Sequence, residues 1–327
     1  MKKEKNSKTV DKKRERILFF DILRIIFVGL IVYGHSQFAY ITWLNSILYM
    51  DGSTPFNIYP LGLTGLSVFG LIFVSGAVLE YNYKKIELLS EYTRFLFKRI
   101  IRLYPAFWMS LILSIILYPW VLRNGIFSTF MEFTGFFILL GQGPGYLNTM
   151  GWFIGTILCL YIIFPVLSKI VKEYRLWSLL LFLIISYLSR FLLISNNMIS
   201  LDLLPRWLPI CNLFEFCLGI YLIQNTLYPK NISNSPFIQK LSELSFYVFL
   251  FHMIVIDAFY LDLQNKGPIF NFFLNMGMKL QIQTYALWYL IMMATILVIS
   301  GIAMVIDKKL QNLILQNEKV QKFLILK

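Results

Sequence analysis

The chain has 327 residues, 58% hydrophobic, 17% aromatic and only 14% charged, whereas a soluble domain of this length holds about a quarter charged residues. That composition excludes an ordinary soluble globular domain. The net charge of +13 does not point to nucleic acid either, because 19 of the 30 Lys and Arg fall in three stretches that flank apolar segments.

In chain order, eight basic residues occupy the first sixteen positions. Six more lie between Lys84 and Arg102, and five between Lys308 and the end. Positive charge concentrates this way in cytoplasmic loops, so both termini and the first long loop are expected to face the cytoplasm, in a multi-pass protein of the cell membrane. No small-residue cleavage site follows the first apolar run, which reads as a retained span and not a removed signal.

Charge-free intervals run from Arg24 to Asp51, Arg102 to Arg123, Glu132 to Lys169 and Lys279 to Asp307. A helix needs about 20 apolar residues to cross a hydrocarbon core of about 30 Å. Spans are expected at residues 18–41, 58–80, 103–122, 152–170, 176–195, 206–225, 243–262 and 284–306. Residues 126–141 would form a helix of only about 24 Å, and the run Gly141–Gly145 after it cannot stay helical. Residues 266–283 are interrupted by polar residues and Lys279. The fold class is therefore an all-α polytopic bundle of about eight to ten membrane-spanning helices, and the positive-inside rule prefers the lower number. One transmembrane domain, residues 18–306, lies between basic tails at 1–17 and 307–327. Cys159, Cys211 and Cys217 sit in apolar segments and imply neither a disulfide framework nor a metal site.

Ionisable groups at membrane depth are costly and mark candidate sites. The first span holds Asp21, Arg24 and, eleven residues after Arg24, His35. At about 100° per residue those eleven steps end roughly 20° from their start, and Asp21 shares the stripe. One face thus carries a carboxylate, a guanidinium able to bind an anion bidentately, and an imidazole about 16 Å deeper that suits a general base. A snorkelling Arg24–Asp21 pair with a packing histidine is the alternative. Arg99 and Arg102 share a face at the start of the third span, ahead of Tyr104 and Pro105, and fit either a clamp for a phosphorylated ligand or a positive-inside anchor. Trp152 and Tyr161, with Pro165, fit an interfacial aromatic belt, Glu215 is a lone acid beside Asn212, and His252 is the second histidine, in mid-span.

Together these segments resemble the acyltransferase-3 family of membrane acyltransferases. The likeness rests on Asp21, Arg24 and His35, on Arg99-x-x-Arg102-x-Tyr104-Pro105, on Trp152 through Tyr161 to Pro165, and on Ser245-Phe246-Tyr247 with Leu250-Phe251-His252. It extends from about residue 17 to 305, in order. The resemblance implies a bundle of about ten helices and transfer of an acyl group, most often acetyl, from acyl-CoA to an extracytoplasmic or lipid-linked glycan. It implies that His35 is catalytic with Arg24 and Asp21 as partners, and that Arg99, Arg102 and Tyr104 serve acetyl-CoA as donor. His252, Trp152 and Glu215 are further candidates; the bilayer is the other partner, and neither metal nor nucleic acid is expected. The length is most like members that O-acetylate surface polysaccharides of the cell envelope. One departure stands out: many relatives carry a Glu in the helix beginning at Trp152, where this chain reads Trp152-Phe153-Ile154-Gly155-Thr156-Ile157-Leu158-Cys159. Polar groups at membrane depth and a broken helix also fit a glycan transporter or flippase, although no inverted repeat is visible.

Overall fold

A computed structural model describes residues 16–48, 61–83, 86–140, 145–195, 207–229, 235–265, 267–275 and 282–325. The basic residues before Arg16 and most of the Gly141–Gly145 run lie outside them. Among the described residues there are helices and no strands: α1 (Leu18–Leu48), α2 (Leu61–Asn82), α3 (Leu89–Leu117), α4 (Ile126–Thr134), α5 (Gly151–Tyr174), α6 (Leu176–Ser195), α7 (Leu213–Gln224), α8 (Pro236–Gln264), α9 (Pro268–Asn275), α10 (Ile282–Gln316) and α11 (Glu318–Ile325). Seven of them, α1, α2, α3, α5, α6, α8 and α10, are long and apolar enough to cross a membrane. The molecule is a multi-pass membrane protein.

The boundaries follow from local chemistry. Pro236 opens α8 behind Ser235, whose hydroxyl accepts from the Ile238 amide at 3.4 Å, and proline costs nothing at a position without an intrahelical donor role. Helix α3 begins at Leu89, well before the expected start at 103, and continues through Arg94, Lys98, Arg99 and Arg102. The reason is its amphipathic register, which buries Phe95, Ile101 and Leu103 while the intervening arginines face a cavity. Of residues 126–141 the described ones form α4 and a 3₁₀ stretch, Phe136–Leu140, and of 266–283 the described ones hold α9 and the first two residues of α10; neither α4 nor α9 is long enough to span. The segment expected to span at 206–225 divides into a 3₁₀ turn, Pro209–Asn212, and the twelve-residue α7.

The most extensive helix pairings are α2 with α7, α1 with α8, α1 with α2, and α8 with α10. Gly76 of α2 and Gly219 of α7 let the first pair approach closely: an added Cβ would come within 2.1 Å of the Phe216 carbonyl oxygen from Gly76, and within 2.1 Å of the Phe73 carbonyl oxygen from Gly219. Small residues at such crossings are the usual means of packing helices where lipid removes the hydrophobic drive between them. The opposite surface of α6 leaves Leu176, Trp177, Leu181, Ile184 and Phe191 at least half exposed, as a lipid-facing side requires.

Candidate active site

Helices α1 and α8 run side by side and in step, and every polar residue expected on the α1 stripe meets α8. Asp21 is buried, and its Oδ1 accepts from Ser242 Oγ at 2.7 Å, from Arg16 at 3.0 Å and from Arg24 at 3.2 Å. Arg24 also donates to Ser242 Oγ at 2.9 Å. Arg16 continues the network to Glu243 at 2.6 Å, where Lys308 of α10 binds the other carboxylate oxygen at 2.6 Å. Asp21 therefore sets the position of Arg24 and does not project into open space.

Arg99 and Arg102 come from α3 to the same place. With Arg16 and Arg24 they line a cavity of about 330 Å³. Arg99 is held by aromatic faces, with its guanidinium carbon 4.8 Å from the Tyr83 ring centroid and 5.8 Å from those of Phe95 and Tyr161. Neither Arg99 nor Arg102 has an ion pair with a described residue, so the two guanidinium groups are not neutralised from within. Paired, uncompensated arginines at a cavity wall form a ready site for a phosphate or other anion. The cavity lining turns apolar away from the arginines: Val28 lies one turn deeper than Arg24 on α1, Phe249 two turns deeper than Ser242 on α8, and Leu71 and Ile157 complete the inner wall.

Beyond that wall lie both histidines. His35 Nδ1 and His252 Nε2 are 2.9 Å apart although 217 residues separate them in sequence. The ring centroids are 5.2 Å apart and the planes differ by 4°. A nitrogen contact this short within a centroid separation this long is an in-plane, edge-to-edge hydrogen bond between coplanar rings, not a face-to-face stack. The tautomers follow from the partners. His252 Nδ1 faces the carbonyl oxygens of Phe249 at 2.8 Å and Val248 at 3.2 Å, which only accept, so Nδ1 carries the proton and Nε2 the lone pair. His35 Nδ1 is then the donor between the rings, and His35 Nε2 is the basic nitrogen. His252 is fully buried and His35 partly exposed, so the outer member of the pair is the one a substrate can meet.

The other residues singled out from sequence lie elsewhere. Tyr104 donates its hydroxyl to the Thr134 carbonyl at 2.6 Å, tying α3 to α4. Trp152 is buried against Trp207, with ring centroids 6.2 Å apart. Glu215 forms an ion pair of 2.9 Å with Arg190 between α6 and α7, and Arg190 also donates to the Cys211 carbonyl and covers the Phe69 ring at 4.4 Å. Tyr161, read as part of an aromatic belt, lines the arginine cavity instead. Sequence reasoning passed over Ser242, Arg16 and Tyr83. Ser242 had a visible signal, a small polar residue ten positions before a membrane histidine, within one residue of the eleven-position Arg24-to-His35 interval.

The helical membrane bundle thus holds an arginine-lined cavity that ends about one turn short of a hydrogen-bonded histidine pair. A family model described as an acyltransferase domain matches residues 17–231, and the chain belongs to this acyltransferase-3 family of membrane acyltransferases. His252 lies past the matched region. No curated protein and no solved structure matches the chain.

Proposed function

We propose that the protein transfers an acyl group, acetyl in the simplest case, from acyl-CoA to a hydroxyl of an extracytoplasmic or lipid-linked glycan. The observation that carries this reading is the single cavity that begins at Arg99 and Arg102 and ends one turn from the His35–His252 pair. The CoA phosphates bind the arginines, Arg24 included, and the apolar part of the lining takes the pantetheine arm. We assign the arginine end to the cytoplasm; Lys98, Lys308 and Lys309 flank it on α3 and α10, as the positive-inside rule requires.

In the reaction, His35 Nε2 removes the proton of the acceptor hydroxyl as its oxygen attacks the thioester carbonyl carbon. The tetrahedral adduct collapses with cleavage of the C–S bond, and the proton held on His35 passes to the departing CoA sulfur. The products are an O-acyl ester and the free thiol. His252 holds His35 in the tautomer this needs, and the hydrogen bond between them persists while His35 is charged. General-base assistance is worth about 10²–10⁴-fold in rate.

The test is acetyl-CoA binding and consumption by the protein purified in detergent, with wild type beside Arg99→Ala/Arg102→Ala and His35→Ala. Loss of binding in the arginine variant, with binding but no turnover in His35→Ala, is the expected pattern. A folded wild type that ignores acetyl-CoA and moves labelled glycan across vesicles would replace this reading with transport.

A further inference from the structure

A second cavity, of about 240 Å³, lies at the other end of the bundle, between the end of α3, the 3₁₀ turn Pro119–Asn124, residues 145–149 and α8. On α8 the order is Ser242 and Phe249 at the arginine cavity, then His252, then Ile254 and Asp257 at this one. Ile254 is about 3 Å and Asp257 about 7.5 Å beyond His252 along the helix axis. The two cavities therefore flank the histidine pair from opposite sides.

The walls combine aromatic faces with polar groups that have no hydrogen-bond partner among the described residues. Tyr118, Trp120, Tyr146 and Tyr260 supply rings; those of Tyr118 and Trp120 are 5.3 Å apart, and Trp120 is 51% exposed. The Tyr118 hydroxyl is already committed to the Ile254 carbonyl at 2.7 Å. Ser114 Oγ, in contrast, is 1% exposed and makes no hydrogen bond, and the Asp257 carboxylate accepts none from any described residue. The buried Ser114 hydroxyl left unsatisfied costs about 1–3 kcal/mol unless a ligand completes it, while the half-buried Asp257 carboxylate stays open to the cavity.

From this we infer that the second cavity is the acceptor subsite and that it takes a neutral sugar ring. Asp257 accepts from one ring hydroxyl, Ser114 exchanges a hydrogen bond with its neighbour, and the aromatic rings cover the apolar face of the sugar. Adjacent hydroxyls, which both donate and accept, satisfy an acceptor-only carboxylate and a serine together. An acyl chain would leave both groups unpaired. An anion would be repelled by Asp257, which keeps the donor phosphates at the arginine end. The volume, below the usual 300–1,000 Å³ of drug-sized pockets, fits one ring at a time.

The inference rests on the acyl-transfer reading for its chemistry, but its test does not use acyl turnover. Purified full-length protein is titrated with neutral methyl hexopyranosides and with cationic methyl glucosaminide, following tryptophan fluorescence, for wild type, Asp257→Asn and Ser114→Ala. Saturable quenching by at least one neutral glycoside is expected, weakened about tenfold in each variant, while acetyl-CoA affinity stays within about twofold as the check on folding. Saturation by neutral glycosides without any response to acetyl-CoA would remove the acyl-transfer reading and leave the sugar site standing. The inference is overturned if no neutral glycoside saturates a wild type that binds acetyl-CoA. It is equally overturned if only the cationic sugar saturates, or if both variants bind as tightly as wild type.

Discussion

Replacing His252 separates its proposed positioning role from simple packing. His252→Ala deletes the acceptor of a 2.9 Å in-plane bond to His35 and exposes the Phe249 and Val248 carbonyls to the vacated space. Such a hydrogen bond is worth about 0.5–1.5 kcal/mol net. Its loss lets His35 sample the tautomer that puts a proton on the nitrogen facing substrate, and lets the ring rotate. Comparable partners of functional histidines are worth about 10–100-fold, so kcat is expected to fall by about that factor, or about 1.4–2.7 kcal/mol of barrier. The donor KM is expected to hold, because the arginine cavity reaches Phe249 but not His252. His252→Gln, whose amide oxygen can accept from His35 Nδ1, is expected to recover about tenfold over alanine. The assay is steady-state consumption of acetyl-CoA, with thermal unfolding in detergent confirming that each variant is folded. Undiminished kcat in His252→Ala refutes the reasoning, and so does a rise in donor KM alone or a glutamine variant no better than alanine.

Arg99→Lys is expected to weaken donor binding by about tenfold despite keeping the charge, because an ammonium cannot reproduce the planar stacking on Tyr83, Phe95 and Tyr161; equal affinity in equilibrium binding would contradict that. Arg190→Met strands the Glu215 carboxylate in the α6–α7 interface and is expected to destabilise by about 3–5 kcal/mol, whereas Arg190→Met/Glu215→Leu recovers most of it, as thermal unfolding can measure. Glu132→Gln disturbs a carboxylate that accepts from the Tyr146 amide at 2.5 Å and the Leu147 amide at 2.8 Å; faster proteolysis near residues 145–149 is the expected sign. Gly219→Ala is expected to separate α2 from α7 and lower the unfolding temperature, and an unchanged transition would mean the helices can shift to accept a methyl group.

Much of the architecture was legible from local pattern. Apolar runs of membrane length are self-sufficient signals, since a helix satisfies its own backbone and lipid demands only an apolar exterior. The stripe of Asp21, Arg24 and His35 and the Arg99–Arg102 pair were equally readable, because helical periodicity alone decides which residues share a face. Periodicity does not say what that face meets. Residue type and resemblance also drew attention to Tyr104, Trp152 and Glu215, which the tertiary structure uses to join α3 to α4, to pack Trp207 and to neutralise Arg190. Only packing decided that arginines from α1 and α3 surround one cavity, that Ser242 bridges Asp21 and Arg24, and that His35 meets His252. Each of these pairs residues from different helices, and which helices become neighbours depends on side-chain fit across their whole length. Sequence therefore determined the helices and the chemistry each carries, while the parallel, in-step packing of α1 on α8 turned two separate membrane histidines into one hydrogen-bonded pair.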